Sequence, residues 1–207
     1  KLCIGRKQEF YEICHYMRKS EIIPDFITID GAEGGTGAAP LEFADNVGMP
    51  LYEALTFVSK TLQQYGLKEH IKLIVAGKII SAYDILKVLA LGADACYSAR
   101  GMMFSLGCIQ ALRCDSGKCP VGVATQEPRL YKGLDVTDKR VRVAFFHKNT
   151  IKATTELMNA CGFKTLDDIT VSSFFRRLNS FGVKSFEEIY DLKTNKMTLY
   201  ESNKRQN

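Results

Sequence analysis

The sequence has 207 residues, enough for one sizeable core, and its 46% hydrophobic content is that of an ordinary globular domain. No apolar run approaches the roughly 20 residues of a membrane-spanning helix, so we expect no membrane span. The net charge is +5, but the basic residues are scattered or gathered in the last stretch, without the aromatic interleaving of a nucleic-acid-binding face. We therefore expect no nucleic-acid partner.

The first half of the sequence alternates strand-like and helix-like patterns. Apolar residues recur at helical spacing from 7 to 20, and Ser81 with Asp84 forms a capping box for a later helix. In chain order, the pattern predicts strands at 1–5, 25–30, 71–77 and 94–99, and helices at 7–20, from 51 to the stop at Gly66, and from 81 to the stop at Gly92, with helical turns over 100–107.

Four strands separated by helices predict parallel β-α-β units with right-handed crossovers. Strands that are apolar on both faces need helices on one side and packed side chains on the other, as in a (β/α)8 barrel. Four units make half of a barrel, which would leave two open edges. Because the sequence begins with Lys1 inside a strand-like run, we expect it to be cut from a longer chain. The predicted fold class is α/β, the C-terminal half of a TIM barrel.

The pattern changes in the second half of the sequence. Residues from about 138 to 160 predict one long helix. The stretch that follows, up to about 192, predicts short helical turns that would cap the barrel.

Three cysteines lie in one short loop, between 108 and 126, with the spacing C-x5-C-x4-C. Thiolates packed this closely repel one another unless a cation shares them, which favours a metal. Zinc usually takes four ligands in two close pairs, whereas a last cysteine followed by proline, as in Cys119-Pro120, is typical of iron–sulfur loops. An iron–sulfur cluster, a zinc ion and three structural or disulfide-bonded cysteines remain as alternatives. The odd total of seven cysteines, without a secreted disulfide pattern, indicates a reducing compartment.

Candidate binding residues follow the ends of the predicted strands, where the loops of a barrel build the active site. The loop GAEGGTG at 31–37 would let backbone amides approach an anionic or planar ligand, and Glu33 is its one carboxylate. A flexible loop without a ligand is the alternative. Lys1 is either frayed or an inward-facing charge for an acidic substrate. The three histidines are expected at the surface.

A phosphate site is suggested by the ends of the third and fourth strands. The backbone amides of Gly77 and Gly101 would donate hydrogen bonds, while Lys78 and Arg100 would supply positive charge. The alternative is that both basic residues are surface caps.

Together these stretches resemble the FMN-binding domain of glutamate synthases. The matching segments, in the family's order, are DGAEGGTGAAP, VAGKIISAYDILKVLALGAD and ARGMMFSLGCIQALRCDSGKCPVGVATQ. The resemblance covers roughly residues 1–160 and is closer to the shorter synthase-like proteins that lack a glutaminase domain. It implies that 1–107 hold barrel strands five to eight, followed by an iron–sulfur loop at 108–126, a helical extension at 127–192 and a tail at 193–207.

The resemblance implies two cofactors, FMN at the barrel mouth and a [3Fe–4S] cluster. Gly34, Gly35 and Thr36 would line the flavin, and the turns at Gly77-Lys78 and Arg100-Gly101 would hold its phosphate. Cys108, Cys114 and Cys119 would ligate the cluster. Lys1 would face the flavin and a 2-oxo acid, with Glu33 as the second catalytic candidate.

The implied activity is that of an oxidoreductase acting on CH-NH2 donors. Electrons from a ferredoxin or an NAD(P)H-oxidising flavoprotein subunit would reach the cluster and pass through FMN to 2-iminoglutarate. That imine would form from 2-oxoglutarate and ammonia, supplied free or from glutamine, and its reduction gives L-glutamate. The expected compartment is the cytoplasm or an organelle stroma or matrix, and this fragment alone is expected to be inactive.

Two departures from the large synthases lie at the expected active-site mouth. The chain has Asp30-Gly31-Ala32-Glu33 where they carry Ser-Gly-x-Asp, and Ala76-Gly77-Lys78 where they favour Asp-Gly-Gly. These changes bear on the substrate more than on the cofactor. Two other functions therefore stay open: a barrel enzyme that binds FMN or a nucleotide phosphate and uses a loop cysteine as nucleophile on a different substrate, and a non-catalytic truncated domain.

Overall fold

The computed structural model describes residues 1–31, 39–40, 42–44 and 46–192. At its centre is a parallel sheet of three strands that lie in chain order, β1 (Phe26–Asp30), β2 (Lys72–Ala76) and β3 (Ala95–Tyr97). Helices separate the strands along the chain, since parallel neighbours cannot be joined by a short turn. The predicted α/β class with a parallel sheet is confirmed.

The predicted first strand is shorter in the structure than the sequence indicates. Leu2 donates its N–H to Thr28 O and accepts the N–H of Asp30, both at 2.9 Å, which makes an isolated parallel bridge to Ile29. The predicted extent of 1–5 is therefore wrong. Within the described chain no strand pairs with Leu2 from its other side, so nothing extends this ladder.

Four helices in the first half lie where the sequence predicts them, and their ends have the expected signals. Ser81 Oγ accepts the N–H of Asp84 at 3.2 Å, and the Asp84 carboxylate accepts the N–H of Ser81 at 3.0 Å, which confirms the capping box. Gly92 follows that helix in a left-handed conformation, with φ +103°. The helices are α1 (Lys7–Ser20), α2 (Leu51–Gln64), α3 (Ala82–Ala90) and α4 (Ala99–Leu106).

A continuous apolar core lies between the sheet and these helices. Ile29 on β1 and Leu73 and Val75 on β2 are fully buried, and they pack against the inner faces of α1, α2 and α3. Each such side chain contributes roughly 1.5–3 kcal/mol by leaving water. The core therefore fixes the strands and, with them, the positions of the loops at their carboxyl ends.

A short helix, α5 (Pro128–Tyr131), and a long one, α6 (Val136–Ala160), follow the cysteine loop. The α6 helix begins two residues before the predicted position, where the carboxylate of Asp135 accepts the N–H of Thr137 at 2.8 Å. It packs on α3 and α4. Although α6 has 25 residues, neither it nor another helix among the described residues combines the length and the apolarity needed to cross a membrane.

The segment from 165 to 192 corrects the sequence prediction of helical turns alone. It contains two 3-10 turns, an antiparallel hairpin of β4 (Phe175–Arg177) and β5 (Val183–Ser185), and a short helix, α7 (Phe186–Tyr190). Strands of three residues are too short to show a periodicity of two. The segment packs on α2 and α3: the rings of Tyr83 and Phe174 lie 5.9 Å apart, and Lys60 Nζ donates to Tyr190 O at 2.7 Å.

Candidate functional site

A cavity of about 360 Å³ opens at the carboxyl ends of the parallel strands. This is the edge at which parallel α/β proteins bind their ligands. We call it the strand-end cavity. The lining residues that matter below are Lys1, Asp30, Gly77, Lys78, Tyr97, Arg100, Cys108, Cys114 and Cys119. The structure thus brings the predicted lysine, most of the predicted phosphate residues and all three loop cysteines to one space.

The turn after β2 has a backbone that only certain residues accept. Gly77 has φ +138° and Lys78 has φ +53°, and the first of these values strongly favours glycine. A Cβ placed on Gly77 would lie 3.1 Å from the backbone of Gly31, and one placed on Gly31 would overlap Leu51. The two glycines therefore let the loops after β1 and β2 approach closely at the floor of the cavity.

The loop after β3 is joined to the loop after β2 by a hydrogen bond. Ser98 precedes α4 but makes no side-chain cap; its hydroxyl donates instead to Ile79 O at 2.7 Å. The first turn of α4 therefore has no side-chain cap, and uncapped helix amides are the groups that bind anions in many proteins. The exposed Arg100 lies in this first turn, so positive charge and an uncapped helix start occur together.

Gly101 has a packing role in the structure. It is buried and lies outside the residues that line the strand-end cavity. A Cβ at this position would come within 2.6 Å of Ser98 Oγ and 3.1 Å of the Phe146 ring. Its small size therefore lets α4 pack against α6 and sets the direction of the first turn.

Lys1 makes an ion pair with Asp30, and both residues line the strand-end cavity. The ammonium lies 2.8 Å from a carboxylate oxygen, with side-chain exposures of 60% and 21%. Asp30 ends β1 and is held by its N–H, which donates to Leu2 O at 2.9 Å. Lys1 thus lines the cavity with Asp30 as its partner, and its role toward an acidic substrate stays a prediction.

The thiol of Cys119 has the most distinctive surroundings of the three loop cysteines. It is buried, with 7% of its surface exposed. Burial alone raises its pKa, but hydrogen bonds from the backbone N–H groups of Ala124, Val121, Val123 and Gly122 outweigh burial and lower that pKa below the ordinary value. A nest of amides around one sulfur stabilises the thiolate, the form that binds a metal.

Cys108 and Cys114 are half-buried on the same cavity. Cys108 follows the C-terminal end of α4 and donates its N–H to Met103 O at 3.0 Å. Even so, among the described residues no three His, Cys, Asp or Glu side chains form a group that could hold a metal. The donor chemistry at Cys119 fits an iron–sulfur ligand, while the complete set of ligands stays a prediction. None of the seven cysteines, all of which are described, is in a disulfide; cysteines with a purely structural role stay an alternative to a metal site.

Some predicted residues do not bear on the cavity as described. Glu33, Gly34, Gly35 and Thr36 lie outside the described residues, so the role of the glycine loop stays a prediction. All three histidines are exposed, as expected; they are His15, His70 and His147.

Asp30 and Tyr97 are among the cavity residues whose side chains received no role from the sequence. Each is the last residue of its strand. Because the carboxyl ends of parallel strands meet at one edge, the end position itself was the available signal. It could not show that Asp30 would pair with Lys1, since the two are brought together only by the sheet.

The fold and the cavity define a parallel α/β protein in which basic side chains and a cysteine-bearing loop line one cavity at the strand ends. Residues 1–164 match the family described as the conserved region in glutamate synthase. The chain belongs to this family. The resemblance seen in the sequence is confirmed over this range.

Curated relatives match about two thirds of this chain. The chain is 51% identical over 143 residues to the glutamate synthase large subunit-like protein YerD of Bacillus subtilis, a match that covers 69% of this chain and 27% of that protein. It is 42% identical over 149 residues to the archaeal glutamate synthase (NADPH) of Methanocaldococcus jannaschii, with 70% and 28% covered. The chain thus spans less than a third of the length of these relatives.

Solved structures with a related arrangement are more distant. A double variant of flavocytochrome b2 with sulfite bound is 14% identical, with a TM-score of 0.43, and the match covers 77% of this chain and 31% of that one. A variant of the same protein with benzoylformate has the same identity and TM-score and covers 95% and 43%. Similarity at this level carries no argument about the fold or ligands of this chain.

Proposed function

We propose that this chain is part of a glutamate synthase-type oxidoreductase that converts 2-oxoglutarate and ammonia, through 2-iminoglutarate, to L-glutamate. The observation that carries the proposal is the strand-end cavity of a family member, where Lys1, the loops after β2 and β3 and three cysteine thiols line one space. The relatives' names, which call them glutamate synthases, support the substrate. The activity is assigned to the whole protein, of which this chain holds one part.

The parallel strands in chain order support a half barrel in this proposal. In a (β/α)8 barrel each strand neighbours the previous one, as β1, β2 and β3 do, and Leu2 continues that order. Residues 1–107 would then be strands five to eight, and the loop at 108–126 would hold the cluster. The segment 127–192 would be an extension on the outside, with 193–207 as a tail.

The phosphate of FMN would be held between the loops after β2 and β3. Gly77 gives the backbone room, Lys78 and Arg100 supply charge, and the first amides of α4 have no side-chain cap. FMN, when bound, would supply two-electron redox chemistry. The chain's part is to fix the phosphate and so to set where the flavin ring lies, with the loop around Gly34, Gly35 and Thr36 against it.

Lys1 would bind a carboxylate of the 2-oxo acid. Asp30 holds the ammonium at the cavity wall, so the substrate must compete with or share this partner. The ion pair keeps the lysine oriented when the site is empty of substrate. Glu33 is the second candidate for contact with the reacting atoms.

Cys108, Cys114 and Cys119 would ligate a [3Fe–4S] cluster, which would supply one-electron transfer. The amides around Cys119 support ligation, because they lower the pKa of the thiol and so favour the thiolate that binds iron. Hydrogen bonds to sulfur also tune the reduction potential of such clusters. The electron source would be a ferredoxin or an NAD(P)H-dependent flavoprotein subunit. NADPH is the donor named for the archaeal relative.

A second function has one observation in its favour. The lowered pKa of Cys119 would also suit a cysteine nucleophile in a barrel that binds FMN or a nucleotide phosphate. However, only 7% of Cys119 is exposed, and a nucleophile must be reached by its substrate. Burial with amide donors therefore favours a ligand over a nucleophile.

The intact protein, purified without oxygen, allows a direct test of the proposal. Flavin absorption, about three irons per chain and reductive amination of 2-oxoglutarate by ammonia, with reduced ferredoxin or NAD(P)H as the electron source, would support it. Flavin without iron would favour the cysteine nucleophile. Absence of both chromophores from the intact protein would contradict the redox proposal altogether.

A further inference from the structure

A second cavity lies on the other side of the Gly77-Lys78 turn, between helices α2 and α3 and the C-terminal hairpin. It has a volume of about 580 Å³, within the range of small-molecule sites. We call it the hairpin cavity. Arg176 and Arg177 on β4 form one wall, and this wall lies beyond residues 1–164, the part that matches the family. The cavity is thus built partly by a segment outside the range that matches the family model.

The charge on the walls favours an anion. Lys78, Lys87, Arg176 and Arg177 line the hairpin cavity, whereas Glu53 is the one carboxylate among the described lining residues. Lys87 is occupied by Asp84, at 2.9 Å. Its Nζ also lies 4.9 Å from the ring centre of Tyr52 and 5.0 Å from that of Tyr83. The guanidinium groups of Arg176 and Arg177 are therefore the groups best suited to bind a phosphate or carboxylate.

The other lining groups favour a planar ring. Five aromatic side chains contribute to the walls, and they come from α2, α3, β4 and α7: Tyr52, Tyr83, Phe175, Phe186 and Tyr190. Aromatic faces bind flat rings by stacking or edge contacts. A site that combines aromatic faces with arginine guanidinium groups suits a molecule with a ring at one end and an anionic group at the other.

The walls are held in place before any ligand binds. The Tyr83 ring on α3 packs 5.9 Å from the ring of Phe174, which precedes the hairpin, and Tyr83 Oη lies 3.5 Å from Phe175 O. Phe186 packs edge-on against Tyr190, with ring centres 5.7 Å apart, and Lys60 Nζ holds Tyr190 O at 2.7 Å. A cavity fixed from both sides loses little entropy on binding, which favours affinity.

We propose that the hairpin cavity binds an aromatic anion of the size of a nucleoside monophosphate, with Arg177 as the main anion contact. Arg176 is the less independent of the two arginines because its side chain hydrogen-bonds to Tyr190. The proposal does not rest on the proposed redox function, since the cavity and the strand-end cavity have different walls apart from the Gly77-Lys78 turn.

The test is a calorimetric titration of the intact protein with AMP at low ionic strength, with adenosine and ribose 5-phosphate as separate probes of the ring and the anion. We expect saturable AMP binding that is at least about tenfold tighter than either half-molecule, because both sets of contacts are then used. Equal binding of AMP and ribose 5-phosphate would overturn the aromatic part of the proposal. Lack of saturable AMP binding would overturn the whole.

Three variants locate the site. Arg177→Ala should weaken AMP binding about tenfold, the loss expected for one charge-assisted contact. Arg142→Ala, on the exposed face of α6, removes the same charge far from the cavity lining and should leave AMP binding unchanged. If Arg100→Ala weakened AMP binding while Arg177→Ala did not, AMP would occupy the strand-end cavity and the proposal would be wrong. Flavin content, measured on the same samples, tests the redox proposal separately.

Discussion

The hydroxyl of Ser98 donates a 2.7 Å hydrogen bond to the carbonyl of Ile79, and this bond joins the loops that follow β2 and β3. If these loops hold the FMN phosphate, their spacing decides affinity. We expect Ser98→Ala to weaken FMN binding about three- to tenfold, because a phosphate held by two loops is sensitive to small displacements. Flavin titration of the apoprotein measures this.

Ser105→Ala is the matched control for that variant. Ser105 also donates to a carbonyl at 2.7 Å, that of Met102, but the bond lies within α4. Each substitution should cost about 1 kcal/mol of unfolding free energy, and only Ser98→Ala should change flavin affinity. Equal loss of affinity in both variants would show that general stability, and not the loop connection, controls binding.

Gly77→Ala should destabilise the protein by about 2–4 kcal/mol, because it adds a strained backbone and a close contact. The residue has φ +138°, and its Cβ would lie 3.1 Å from the backbone of Gly31. Gly66→Ala is the comparison without a close contact, since Gly66 has φ +64°, which costs an L residue about 1–2 kcal/mol, and a Cβ there would meet nothing within 4 Å. Denaturant unfolding should give the smaller loss for Gly66→Ala. Equal losses would mean that neither the backbone conformation of Gly77 nor its approach to Gly31 adds to the cost.

Asp30→Asn tests whether the ion pair with Lys1 restrains substrate binding. Removal of the carboxylate charge frees the ammonium, which lies 2.8 Å away, for the substrate carboxylate. We expect the KM for 2-oxoglutarate to fall several-fold, whereas Lys1→Met should raise it about tenfold or more. Asp25→Asn, at the other end of the strand, is the control and should change neither. An increase in KM for Asp30→Asn would show that Asp30 mainly orients the lysine.

The free energy of unfolding should depend on pH through Asp94, and the sign of this dependence follows from its surroundings. Burial works against ionisation, but hydrogen bonds from Lys68 at 2.9 Å and from the N–H of Leu73 at 2.7 Å outweigh burial and lower its pKa in the folded protein. The stabilisation is therefore present above the unfolded pKa, about 3.9, and is lost as the pH falls through the folded value.

We expect Asp94→Asn to lower the unfolding free energy by about 1 kcal/mol at neutral pH, after allowance for solvent screening. This difference should shrink as the pH falls below about 4. Glu69→Gln, at an exposed carboxylate nearby, should show neither effect. A constant difference across the acid range would mean that the Asp94 charge does not provide the stabilisation.

The helices of the first half and the strands β1, β2 and β3 could be predicted because each has a strong local signal; the strand predicted at 1–5 is the exception. The capping box at Ser81 and Asp84 and the left-handed Gly92 both end up as the sequence indicates. The hairpin at Phe175–Arg177 could not be predicted, since three residues carry no measurable period. Its stability comes from burial of Phe174 and Phe186 against α2 and α3, which is a tertiary effect.

The strand-end cavity was predictable in outline and not in detail. Topology placed Lys78 and Arg100 on one edge, because both follow the carboxyl ends of predicted strands. Lys1 begins the predicted first strand, and only the family resemblance assigned it to the same site. The pairing of Lys1 with Asp30 needed the register of the sheet. The packing role of Gly101 needed the position of Phe146, more than forty residues away in sequence.

The most direct test of the central claim, that the loop cysteines bind iron beside the flavin site, is the iron and acid-labile sulfide content of the intact protein purified without oxygen. We expect about three irons per chain in the parent protein, a loss of nearly all of them in Cys114→Ser, and full retention in Cys161→Ser, where the cysteine is exposed on another part of the fold. Full iron content in Cys114→Ser, or no iron in the parent, would contradict the account.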